Sequence, residues 1–149
     1  MRIEDICSAN VIGILPSASV REAARQLREA HVGCLVVVEC TSGDRVPVGM
    51  ITDRDIVVSV VAPGIDPDML TVGDVMARPP ITCRDDADLF DVLEQMRDQG
   101  VRRMPVVDAR GVLTGLLSMD DMIAALGTHL SEISCAMTME RAREFVQRV

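Results

Sequence analysis

Two seven-residue stretches carry the residue types that could do chemistry. Gly49-Met-Ile-Thr52-Asp-Arg-Asp55 and Gly115-Leu-Leu-Ser118-Met-Asp-Asp121 share one plan: a glycine, two apolar residues, a hydroxyl, and an aspartate three positions after the hydroxyl. Apolar residues follow both, Ile56-Val57-Val58 and Met122-Ile123, so each stretch reads as a buried strand turning directly into a helix. A carboxylate at such a turn can accept hydrogen bonds from two adjacent hydroxyls of a ligand. The side-chain hydroxyl, with the unpaired N–H groups of a helix start, can meet a phosphate. The same residues also fit an N-terminal capping box, which stabilises a helix and binds nothing. Recurrence in matched surroundings favours binding, and both readings stay open at this point.

The elements that must position these turns are themselves duplicated. A shift of 69 residues lays Ile3-Glu-Asp5-Ile6-Cys7 on Val72-Gly-Asp74-Val75-Met76 and Leu35-Val36-Val37-Val38 on Met104-Pro105-Val106-Val107. After a hairpin of different length the shift becomes 66, and Gly49 falls on Gly115. The copies are 1–61 and 72–125, joined by a Pro/Gly-rich connector, 62–71, and followed by a tail, 126–149. In each copy a short extended piece precedes a helix with apolar residues at i, i+3, i+4 and i+7: Val20, Ala23, Ala24 and Leu27, then Leu89, Val92, Leu93 and Met96. Ser19 with Glu22, and Asp88 with Asp91, cap these helices. A loop at His31-Val32-Gly33 or Gly100-Val101-Arg102 leads to a β-branched strand, which returns as a second strand ending at the hydroxyl turn.

The expected fold class is therefore α+β: two β-α-β-β-α units packed sheet to sheet as a pseudo-twofold pair around one shared core, plus a C-terminal helix. The tail, Thr128–Val149, has Leu130, Ile133, Met137, Phe145 and Val146 toward one side. It is expected to pack on the core or on a second copy.

Composition removes several function classes. A net charge of −8 argues against a broad footprint on nucleic acid, though not against one small anionic ligand held by a local arginine. No apolar run reaches the roughly 18–20 residues needed to cross a bilayer, and the N-terminus has no basic-then-apolar leader, so a cytoplasmic protein is expected. Aromatic residues make up only 1%, which requires an aliphatic core. The five cysteines fall at irregular spacing without a C-x-x-C pair, and neither histidine completes a metal-ligand spacing, so reduced thiols and no metal are expected. Asp85-Asp86-Asp88 reads as a turn and helix start. No nucleophile–base pair, Walker loop or dinucleotide glycine run is present, so an enzyme is not expected.

The tandem β-α-β-β-α copies, the strand Val101-Arg102-Arg103-Met-Pro105-Val-Val-Asp108, the two hydroxyl turns and Asp74-Val75-Met76 together resemble a pair of cystathionine-β-synthase (CBS) domains. The resemblance covers nearly all of 1–125. It implies a Bateman-type module with two clefts that bind an adenosine-containing ligand (AMP, ADP, ATP or S-adenosylmethionine) as regulator, with no required cofactor. It also implies a homodimer acting on an unidentified protein partner. By the same resemblance Thr52 and Asp55 serve one ribose-phosphate cleft, and Ser118 and Asp121 the other. Ile12-Gly13 and Ile81-Thr82 edge the adenine, with Val36-Val37 and Pro105-Val106 nearby. Arg54, Arg102 and Arg103 are the candidates for phosphate contact. The copies differ at Val36 against Pro105 and at Gly13 against Thr82, so the clefts are not equivalent. The alternative is a ligand-free homodimeric scaffold.

Overall fold

The computed structural model describes residues 1–147, without the side chains of 141, 142 and 144–147. Its first sheet runs β1 (Gly13–Ile14), β2 (Cys34–Thr41) and β3 (Asp44–Thr52), with β1 parallel and β3 antiparallel to the central β2. The second sheet repeats this with β4 (Cys83–Arg84), β5 (Arg103–Val107) and β6 (Leu113–Ser118). The helices are α1 (Val20–Ala30), α2 (Asp53–Ile56), α3 (Val72–Val75), α4 (Leu89–Gln99) and α5 (Met119–Gln147). The β-α-β-β-α order is thus present twice.

Local chemistry sets the boundaries. The Ser19 hydroxyl accepts the Glu22 N–H at 3.1 Å and opens α1. Asp88 opens α4 by accepting the Phe90 N–H at 2.9 Å, without a reciprocal pairing through Asp91. Both helices end in a left-handed residue, His31 (φ 55°) and Gly100 (φ 66°), which turns the chain toward the central strand. After four residues α2 widens into a π-helical turn over Val57–Val61, where the Ala62 N–H reaches back five residues to the Val57 carbonyl at 2.9 Å.

The apolar interior differs from a single shared core. Leu35, Val37 and Ile51 face α1 with Val20, Ala23 and Leu27, and Met104, Val106 and Leu117 face α4 with Leu89, Val92 and Met96. Alternation along the strands sends Val36 and Val38 the other way, against Val11 and Leu113 in a small third cluster between the sheets. Each sheet is therefore covered by its own helices, and the interface between the copies is thin.

What joins the copies is an exchange of their opening segments. Ile3 is fully buried in the second copy's core, and Val72 in the first copy's core. Ser8 and Leu116 exchange backbone hydrogen bonds of 3.0 and 2.9 Å, and so do Ala77 and Met50, at 2.8 and 3.0 Å. Each opening segment thus adds an antiparallel bridge to the outer strand of the other copy. The two glycines that precede the hydroxyl turns allow this approach. A Cβ at Gly49 would lie 2.5 Å from the Met76 sulfur and 3.0 Å from the Ala77 carbonyl oxygen. At Gly115 it would lie 2.7 Å from the Cys7 sulfur and 3.2 Å from the Ser8 carbonyl oxygen.

The tail departs from its expected limits. It is the continuation of the second copy's last helix, so α5 runs unbroken for 29 residues through Gly127. Leu130, Ile133 and Met137 are exposed, not packed on this chain's core. The side chains of Phe145 and Val146, expected on the same face, lie outside the described residues, as do residues 148–149 of the predicted tail. Among the described residues no helix is long and apolar enough to cross a membrane.

Two consequences are measurable. Gly49→Ala and Gly115→Ala should each destabilise by about 1–3 kcal/mol in urea unfolding, because backbone atoms and the partly buried sulfurs of Met76 and Cys7 must move. Gly127→Ala, with open space around it, should instead stabilise by up to about 1 kcal/mol. Unchanged midpoints for the first two variants would refute the exchanged-segment packing. Acid should also weaken the fold. Hydrogen bonds hold the Asp74, Asp88 and Asp108 carboxyls below the usual range: from the Thr71 N–H and hydroxyl for Asp74, from the Phe90 N–H and the Met1 ammonium for Asp88, and from the Val112 and Arg110 N–H groups for Asp108. Their stabilisation is complete above the unfolded value, about pH 4, and is lost as pH falls through the folded values. The thermal midpoint should therefore drop below about pH 4, less steeply in Asp108→Asn.

Candidate functional site

Each hydroxyl turn closes as a reciprocal cap. The Thr52 hydroxyl accepts the Asp55 N–H at 3.1 Å, while Asp55 Oδ2 accepts both the Thr52 N–H and the Thr52 hydroxyl at 2.8 Å. At the second turn the Ser118 hydroxyl accepts the Asp121 N–H at 3.2 Å, and Asp121 Oδ2 accepts the Ser118 N–H at 2.8 Å and its hydroxyl at 2.6 Å. All these bonds to carboxylate use Oδ2, and among the described residues Oδ1 of both aspartates has no hydrogen-bond partner. A related cap forms a third time, where Asp74 Oδ2 accepts from the Thr71 N–H at 2.8 Å and its hydroxyl at 2.7 Å, while the Asp74 N–H goes to the Thr71 carbonyl at 3.1 Å. That third copy borders neither cavity described below, so capping alone is a sufficient role for this residue pattern.

What distinguishes the first two turns is the space beside them. A cavity of about 320 Å³ is lined by Ser118, Asp121 and Leu116 from the second copy, and by Ile12 and the His31–Cys34 loop from the first, with Ser8, Asn10 and Arg103. Its pseudo-symmetric mate, about 240 Å³, is lined by Met50, Thr52 and Asp55 from the first copy and by Val101, Arg102 and Arg103 from the second, with Ala77. Each cavity therefore spans both copies. One supplies the hydroxyl and carboxylate, the other supplies the loop between its first helix and central strand, and an exchanged opening segment closes the wall. The first volume sits at the low end of small-molecule sites, roughly 300–1,000 Å³, and the second just below it. A more open apolar groove of about 580 Å³, along α4 and the start of α5, has no hydroxyl–carboxylate pair.

The structure gathers some of the predicted site residues and not others. Ile12, Arg103, Ser118 and Asp121 meet in the first cavity; Thr52, Asp55, Arg102 and Arg103 meet in the second. Val36, Val37 and Val106 are fully buried inside their strands, Pro105 is buried beside Val106, and none of these four lines either of the two cavities. Gly13 packs under Val38, Ile81 packs on the second core, the Thr82 carbonyl accepts from Gln95, and Arg54 is exposed. These four likewise lie outside both cavities. Sequence reasoning did not single out Ser8, Asn10, Val32, Gly33 and Cys34, or Met50, Ala77 and Val101. Their signal was available: Val32-Gly33-Cys34 and Val101-Arg102-Arg103 occupy matching positions in the repeat.

Arg103 is half-buried and borders both cavities. Its repeat equivalent is Cys34, whose thiol is pushed up by burial; the nearby Arg103 charge offsets part of that effect. Among the described residues no cluster of three or more His, Cys, Asp or Glu side chains could hold a metal ion.

The family model described as the CBS domain matches twice, over residues 3–62 and 72–128. Hypoxic response protein 1 of Mycobacterium tuberculosis is 35% identical over 126 residues, 84% of this chain and 85% of that protein. The uncharacterized protein MK0525 of Methanopyrus kandleri is 35% identical over 121 residues, 81% of this chain but only 60% of the length of that relative. Among solved structures, the CBS domain pair of protein MJ0100, in complex with 5′-methylthioadenosine and S-adenosyl-L-methionine, is similar at a TM-score of 0.74 and 25% identity, over 87% of this chain and 98% of that one.

The caps themselves can be tested apart from any ligand. Thr52→Ala and Ser118→Ala each remove a hydroxyl that accepts a helix N–H and should each lower the unfolding free energy by about 1 kcal/mol. Thr71→Ala removes only a hydroxyl donor to Asp74 and should cost less. Losses at Thr52 and Ser118 no larger than at Thr71 would mean that the two hydroxyls do not cap.

Proposed function

The chain belongs to the CBS domain family, and from that premise we propose that it is a regulatory module sensing an adenosine-containing ligand in the two cavities between its copies. The observation that carries this reading is the shared construction of each cavity. A ribose held by the free carboxylate oxygen of Asp55 or Asp121 would lie against a loop of the other copy, so occupancy fixes how the two copies sit together. The thin interface between the sheets makes that arrangement adjustable, and a ligand favouring one arrangement shifts the population toward it. Binding of 5′-methylthioadenosine and S-adenosyl-L-methionine by the similar MJ0100 pair supports the adenosine class; AMP, ADP and ATP belong to the same class.

The module acts in the cytoplasm as a homodimer and passes its state to a protein partner, without chemistry of its own. Exposed Val57, Val58 and Val61 on one copy, and Phe90 and Ile123 on the other, offer apolar surface for a second chain. One observation favours a second reading, that of a ligand-free scaffold. The Thr71–Asp74 box shows that the threonine–aspartate pattern can serve as a cap and nothing more.

Thermal unfolding against AMP, ADP, ATP with and without magnesium, and S-adenosylmethionine separates the two. A ligand at a hundredfold excess over its dissociation constant should add about 2.7 kcal/mol. That shift should shrink in Asp55→Ala or Asp121→Ala and vanish in the double variant. No shift with any adenosine compound at millimolar concentration would favour the scaffold.

A further inference from the structure

The two cavities are related by the repeat, so each is a control for the other, and they differ most in charge. At the loop facing Thr52 and Asp55 the second copy places Arg102 and Arg103; at the equivalent positions facing Ser118 and Asp121 the first copy has Gly33 and Cys34. The smaller cavity is therefore lined by two arginines against one carboxylate, Arg102 being the one the larger cavity lacks. The larger has Arg103, reaching in from the opposite copy, against Asp121, together with the neutral polar groups of Ser8 and Asn10 and the imidazole of His31. Even that one cation is partly balanced there. A Cβ at Gly33 would lie 3.9 Å from Arg103 Nη2 and 3.6 Å from Asp53 Oδ2, so a carboxylate reaches the same spot. Among the described residues Arg102 is not within ion-pair distance of a carboxylate and has none described beside it, so its charge is available to a ligand.

We infer that the cavities divide ligands by charge: the Thr52–Asp55 cavity takes an adenosine bearing a phosphate, and the Ser118–Asp121 cavity takes an adenosine without one. The inference rests on the function proposed above and assigns a ligand class to each of its sites. Arg102 is the specificity-determining residue, because it borders the smaller cavity and not the larger. A planar guanidinium donating to phosphate oxygens discriminates for the anion far more than a neutral donor does. In a chain of net charge −8, an anion gains nothing from the general field, so this local pair must supply the preference.

The test is calorimetric titration with AMP and with adenosine at pH 8. Single-cavity proteins are Asp121→Ala, which leaves the smaller site, and Asp55→Ala, which leaves the larger. AMP should be preferred over adenosine by about tenfold or more in Asp121→Ala, the scale of one charge-assisted hydrogen bond, and by much less in Asp55→Ala. Arg102→Ala in the otherwise unaltered chain leaves the caps intact. It should weaken AMP at one site without changing adenosine binding, and Arg102→Lys should restore part of the loss. Added salt should weaken AMP most at the smaller site. Equal AMP preference in both single-cavity proteins, or an Arg102→Ala protein that binds AMP like the original, overturns the charge division while leaving the proposed function standing. No binding of either compound by any of these proteins overturns both.

Discussion

The structure depends on the crossing of the two opening segments. A β-α-β-β-α unit of this size covers one face of its sheet with its own helices, and the few apolar residues between the sheets would hold two such units weakly. Exchange changes that. Ile3 completes the core of the copy it does not belong to, Val72 does the same in return, and four backbone hydrogen bonds tie the outer strands to the exchanged segments. Glycine is required where each segment passes, because any side chain at Gly49 or Gly115 would strike the sulfur and carbonyl atoms of the segment crossing it. The glycine that opens each hydroxyl turn is thus not part of the turn's chemistry. It is the place where the other half of the molecule comes closest.

The same crossing makes the cavities. Ser8 and Ala77 are the strand-bridging residues of the two segments and also wall residues of the two cavities. Beside each wall stands a helix cap whose carboxylate has one oxygen occupied by the cap. The two oxygens of one side chain are therefore placed differently: Oδ2 closes the turn, and among the described residues Oδ1 accepts no hydrogen bond. The Thr71–Asp74 cap, with the same two bonds to its carboxylate, borders neither cavity. Each cavity is walled by a cap, the loop of the other copy and the crossed segment together.

Much of this was legible in the sequence, because its signals are local. The periodic apolar residues of α1 and α4, the left-handed ends at His31 and Gly100, and the hydroxyl turns all follow from neighbours within a few positions. The exchange was not legible, since Ile3-Glu-Asp5 and Val72-Gly-Asp74 look the same whichever copy they pack against. The cavity loops were legible only in part: Arg102 and Arg103 were named, whereas Val32, Gly33, Cys34 and Val101 are unremarkable within their own copy and acquire meaning only opposite the hydroxyl turn of the other. The family resemblance placed Val36-Val37 and Pro105-Val106 near the predicted site, whereas strand alternation and helix packing bury them outside both cavities. The run-on of α5 through Gly127 was hidden because a glycine near an expected helix end reads as a stop, although its cost of about 1 kcal/mol is small against a long helix.

The central claim is that an adenosine ligand sits between the copies, its ribose on one copy's aspartate and its other end against the other copy's loop. A crystal structure grown with AMP tests it most directly. The account predicts ribose hydroxyls on Oδ1 of Asp55 and the phosphate beside Arg102 and Arg103. Nucleotide bound elsewhere, in contact with one copy alone, would contradict it, as would a structure at saturating AMP with both cavities holding only water.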